Sequence, residues 1–170
     1  MAARTDAPLR RAKPISPDRF ERLLAIAAII LLGFVLAALA RGHAYWGRIP
    51  LPVWGHLVTM IIALVLTPIM LLRRRGDNPH RLLGTIWVIA MILTALDTFL
   101  IRGINNGQFS FIHILSAWVL IQVPIIWWSA KTHSIDRHRS TVRGMVTGAL
   151  LVAGFFTFPF HRMLGRFLFG

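Results

Sequence analysis

Five apolar runs of about twenty residues, joined by connections whose basic content alternates between high and low, constrain this chain more than any other feature. The runs cover residues 20–40, 51–72, 82–101, 111–130 and 141–160, and each is long enough to cross the hydrocarbon core of a bilayer as an α-helix. Six basic residues (Arg4, Arg10, Arg11, Lys13, Arg19, Arg22) lie before or at the start of the first run. The later connections carry two (Arg41, Arg48), four (Arg73, Arg74, Arg75, Arg81), one (Arg102), four (Lys131, Arg137, Arg139, Arg143) and two (Arg162, Arg166). Membrane helices keep Lys and Arg on the cytoplasmic side, so the alternation predicts a cytoplasmic N-terminus and a C-terminus outside.

Composition supports this reading. At 56% hydrophobic and 15% charged, the 170 residues carry too little charge to cover a water-soluble surface. The net charge of +13 is spread over the inner connections and helix ends. It is therefore read as a topology signal and as contact with anionic lipid heads, not as a nucleic-acid surface. The absence of cysteine excludes disulfides, thiolate metal sites and Cys nucleophiles. The expected fold is all-α: a four-helix transmembrane bundle of two repeated helical hairpins plus one N-terminal transmembrane helix. Residues 1–19, with Pro8, Pro14 and Pro17, read as a disordered cytoplasmic tail, and 20–170 as a single transmembrane domain. Ala38-Leu39-Ala40 resembles a signal-peptide cleavage site, but the long leader and the spanning length of the run favour an uncleaved anchor.

The duplication rests on spacing. His56 is followed by Pro68 and then His80-Arg81; His113 is followed by Pro124 and then His138-Arg139. Two stripes, His56/Thr59/Ala63/Thr67 and His113/Ala117/Leu120/Pro124, are expected to face protein, since a polar face is costly in hydrocarbon. Pro68 and Pro124 free the carbonyls of Leu64 and Leu120 and should bend their helices. Gly144, Gly148 and Gly154 offer a small-residue face for close helix approach. The first helix, without a polar side chain between Leu23 and Ala40, reads as a lipid-facing addition.

The predicted topology brings His56, Asp97, His113 and His161 to the same outer end from four different helices. Three chemistries could use such a cluster. His56 and His113 could be axial ligands of haem b, with His80 and His138 as a second pair. His56, His113, His161 and Asp97 could instead hold a transition metal such as zinc or copper. Asp97 and a histidine could also relay protons. Plainer readings stand beside these: histidines hydrogen-bonding in the headgroup layer, Asp97 pairing with Arg102 or Thr94, and Trp46, Trp54, Trp127 and Trp128 as interfacial anchors. No phosphate-binding glycine loop, nucleophile elbow or HExxH motif is present, which argues against a hydrolase or an ATP-driven machine.

The pattern of an outer His, then His80-Arg81-Leu82-Leu83-Gly84, an outer His again and Arg137-His138-Arg139 resembles a family of predicted bacterial membrane proteins, domain of unknown function 2306, over residues 51–162. The resemblance implies a compact multi-helix domain of the bacterial inner membrane with recurring histidines, and it carries no assigned activity. Members often follow His-Arg with a basic residue and Trp-Met. Ser140 and Thr141 stand here instead, which weakens any special role for His138. A looser resemblance, to cytochrome b-type four-helix membrane proteins, implies haem held between helices by paired histidines. Those with two haems usually carry a His near both ends of one helix, and no helix interior here does. Two functions are therefore expected: haem or metal binding in electron transfer or in assembly of a respiratory or other redox membrane complex, or a cofactor-free accessory or scaffold role.

Overall fold

A capping box starts the first helix. In the computed structural model, which describes residues 16–101, 111–159 and 162–170, the Asp18 carboxylate accepts from the Glu21 backbone N–H at 2.9 Å and the Glu21 carboxylate accepts from the Asp18 N–H at 3.1 Å. Two of the helix's orphan donors are thereby satisfied reciprocally, and α1 runs Arg19–Arg41. Asp18 and Arg19 thus belong to ordered helix and cap rather than to a disordered tail; residues 1–15 lie outside the described residues.

A 3₁₀ turn, His43–Arg48, leads to α2, Leu51–Leu72, which opens on Pro50 and Pro52. Neither proline has an N–H to leave unpaired in the first turn. Asp77 caps α3, Asn78–Leu100, by accepting from the His80 N–H at 2.8 Å. The fourth helix, α4, is Phe111–Lys131. The fifth apolar run differs from expectation. Its helix starts at Ile135 and ends at Phe155, as α5 (Ile135–Met145), a π-helical segment (Val146–Val152) and a final short turn, α6 (Ala153–Phe155). Asp136 in its first turn favours the early start. A short helix, α7 (Met163–Phe169), closes the chain. Among the described residues every element is helical, and α1, α2, α3 and α4 are long and apolar enough to cross a membrane.

The helices form a ring. α2 packs on α1 and α3, α3 on α4, α4 on α5, and the π segment returns to touch α1, α2 and α4, while α7 lies on α1. The first helix is therefore an integral stave rather than a lipid-facing addition. Its Leu24, Ala25, Ala28, Leu31, Val35, Ala38 and Leu39 are buried at helical spacing. A stripe of small and aliphatic residues can be a packing face without any polar member, which is why the lack of polar side chains misled.

On α2 the expected stripe does face protein. Thr59 accepts a hydrogen bond from Thr94 at 2.8 Å, Ala63 is fully buried, and Thr67 accepts from the Trp87 indole N–H at 3.0 Å while donating to the Ala63 carbonyl at 2.7 Å. On α4 it does not. Ala117 and Pro124 are exposed, and the buried face runs through His113, Ser116, Val119, Val123 and Ile126. Alanine tolerates either environment, so Ala117 held no orienting information. The two prolines differ likewise, Pro68 being buried and Pro124 exposed.

The glycine face is also only partly used. A Cβ on Gly154 would fall 2.6 Å from Leu31 of α1, so this glycine permits the close approach of the fifth helix to the first. Gly148 has only ordinary contact with Trp118, and Gly144 has open space. Gly144→Ala is therefore expected to raise stability by about 0.5–1 kcal/mol through its backbone effect alone. Thermal unfolding followed by tryptophan fluorescence checks this, and a loss of stability would show a close contact at Gly144.

Candidate functional site

At the end of the bundle where α2 starts and α3 finishes, His56 is tied to the neighbouring helix. Its Nδ1 lies 3.1 Å from the Thr94 carbonyl, which can only accept, so Nδ1 carries the proton and Nε2 keeps its lone pair. Thr98 donates to that same carbonyl at 2.9 Å, and Thr94 in turn donates to Thr59. Helices α2 and α3 are thus joined by a chain of hydroxyls around one imidazole. Asp97 stands beside them: a Cβ on Gly55 would lie 3.1 Å from its carboxylate, so glycine is what lets the acid approach the α2 backbone.

His113 is buried on α4, its ring 5.7 Å from that of Phe99 on α3. Thr94 and Thr98 face α2, whereas Phe99, one residue on and about 100° further round the helix, meets α4. The two histidines therefore flank α3. A cavity of about 40 Å³ lies between α2, α3, α4 and the fifth helix; His56, Thr94, Thr98, Ser116, Ala149 and Ala153 line it, and His113 does not. It has room for a few waters. A porphyrin needs a site of roughly 300 Å³ or more, so His56 and His113 do not fit a shared haem in this packing. Among the described residues no three His, Asp or Glu side chains gather to hold a metal ion. His161 lies outside the described residues, as does Arg102, the suggested partner of Asp97.

His80 and His138 share the opposite, basic end, within electrostatic reach of each other. The His138 Nδ1 donates to the Ile126 carbonyl at 3.1 Å, repeating the His56 arrangement on the other hairpin. The His80 Nδ1 is buried with no hydrogen-bond partner among the described residues.

The most heavily connected charge was not among the expected site residues. Glu21, 1% exposed, receives the Arg139 guanidinium through Nε at 2.7 Å and Nη2 at 2.9 Å, Arg143 through Nε at 3.2 Å, and Arg75. Arg143 also pairs with Asp18. One carboxylate thus gathers the start of α1, the turn before α3 and the start of α5. The only local sign was the Asp18-x-x-Glu21 spacing, which reads as a cap and not as a hub.

The caps at this end titrate with the fold. The Glu21 N–H, and then Arg143, hold the Asp18 carboxyl below its usual range; the His80 N–H, and then Arg73, do the same for Asp77. A carboxyl with a lowered folded pKa contributes stability above its unfolded pKa, near 4, and loses it as pH falls through the folded value. Melting temperature is expected to drop steeply as pH falls below about 4. Asp18→Asn with Asp77→Asn, which keep the caps, should shrink the drop. An unchanged acid limb would place the titration elsewhere.

Compared with protein-family models, curated proteins and solved structures, the chain matches none.

Proposed function

We propose that this chain is an integral protein of the bacterial inner membrane, with its basic end in the cytoplasm, serving as an accessory or scaffold component of a membrane complex. Two features support the membrane placement. Outward faces are apolar at helical spacing, through Val58, Ile62, Val65 and Ile69 on α2 and Ile86, Ile89, Leu93 and Leu96 on α3. Arginines collect at one end, as the positive-inside rule requires of a cytoplasmic face. The scaffold role is supported by one observation: the cavity between α2, α3, α4 and the fifth helix, beside His56, holds about 40 Å³ among the described residues, too little for a porphyrin. Protein purified in detergent is expected to show no Soret absorbance. A haem band abolished by His56→Ala and His113→Ala would overturn the proposal.

A metal ion at the His56 end is the second reading. It is favoured by the carbonyl-bound Nδ1, the arrangement that fixes the tautomer of metal-ligating histidines, and by the adjacent Asp97 carboxylate. His113 lies against Phe99 and does not line the cavity beside His56, so further ligands would come from outside the described residues, with His161 the candidate. Elemental analysis separates the readings. One metal per chain, lost on His56→Ala and on Asp97→Asn, would support this second reading, and a metal content unaffected by either change would remove it.

A further inference from the structure

Where α4 meets the start of α5, the outer surface of the bundle carries a groove of about 310 Å³ bounded by Pro124, Ile125, Trp128 and Arg137. The lining is almost wholly apolar, and Arg137 bounds one side with its aliphatic stem, its guanidinium standing at the edge. Arg73, Arg75, Arg139 and Arg143 are each paired with a carboxylate, whereas Arg137 has none within 4 Å among the described residues. Trp128, 67% exposed, stands along the groove, and the Lys131 ammonium sits 5.3 Å over the ring of Trp127 at the same level. Pro124 comes seven residues before the end of α4 at Lys131, about 10 Å along the axis. The groove thus runs from the level of the charges to about 10 Å into the apolar zone. An occupant with hydrocarbon along the groove and an anion at its Arg137 edge fits this arrangement, which is the chemistry of an anionic phospholipid.

We infer that this groove binds one anionic diacyl phospholipid of the cytoplasmic leaflet, its phosphate on Arg137 and an acyl chain along Pro124, Ile125 and Trp128. The inference rests on the membrane reading above. The basic end then faces the leaflet whose anionic lipids attract Lys and Arg. The Trp128 indole along the groove suits the headgroup boundary, where an apolar body and a polar N–H both find partners.

The test is native mass spectrometry of the full chain in neutral detergent, titrated with phosphatidylglycerol or with phosphatidylcholine of the same acyl chains. The expected result is a saturable one-to-one phosphatidylglycerol adduct, with the neutral lipid bound more weakly. Arg137→Gln should weaken the anionic lipid by about fivefold, the effect of one basic residue at the membrane surface. Trp128→Ala should weaken both lipids alike. Arg74→Gln, at an exposed arginine that does not line the groove, should change neither. Equal affinity for the two lipids, no effect of Arg137→Gln, or an equal effect of Arg74→Gln would overturn the site. So would a dimer that Trp128→Ala dissolves while lipid binding persists. A chain that fractionates with soluble protein in the absence of detergent would overturn the membrane reading itself, a result distinct from a detergent-purified chain that fails to select lipid.

Discussion

Glu21→Gln is expected to destabilise the bundle by about 3 kcal/mol, the lower end of the range for removing one partner of a buried ion pair. The lower end applies because the three arginines are partly exposed, between 15% and 27%, while Glu21 itself is 1% exposed. Glutamine keeps the volume and one acceptor but leaves three guanidiniums facing each other with only the Asp18 carboxylate between them. The loss should appear as undocking of α1 at its Asp18 end, because Glu21 ties that end to Arg75 before α3 and carries, with Asp18, its ties to Arg139 and Arg143 on α5. Asp18→Asn, which leaves Glu21 in place, should cost far less. Unfolding in detergent followed by tryptophan fluorescence measures both. A Glu21→Gln variant within about 1 kcal/mol of the parent, the worth of a surface pair, would show that the hub is no more than one.

Gly165→Ala is the other large expected loss. A Cβ at this position would lie 1.7 Å from the Phe158 carbonyl oxygen, a backbone atom that cannot swing aside. Overpacking that side chains can absorb costs about 1–3 kcal/mol, and here α7 must instead lift from its seat. With it would go the buried Leu164 and the stacking of Phe167 on Tyr45, whose rings lie 5.9 Å apart. Limited proteolysis should then release the C-terminal segment while α1 to α5 stay protected. Wild-type resistance in Gly165→Ala would mean that the chain near Phe158 can move.

The contrast with Gly144 shows where the sequence was legible and where it was not. Gly144, Gly148 and Gly154 share a spacing, yet only Gly154 meets another helix closely enough to need the missing Cβ. Spacing along one helix identifies a face; what that face meets depends on a partner far away in the chain. The same holds for the histidines. His56 and His113 each sit near the start of their helix as expected, but α3 stands between them, because each hairpin packs on its sequence neighbour before reaching across the bundle.

Read alone, the sequence located the first four helical segments and the separation of charges to the ends, because twenty apolar residues in a row and a count of arginines are local properties. Residues 20–40, 51–72 and 111–130 coincide with α1, α2 and α4 to within one residue at either end. Only the tertiary structure decided that Glu21 is a hub, that the first helix closes the ring, and that the cavity beside His56 is small. Each of these depends on groups such as Glu21 and Arg139, 118 residues apart, meeting in space. No window along the chain contains both.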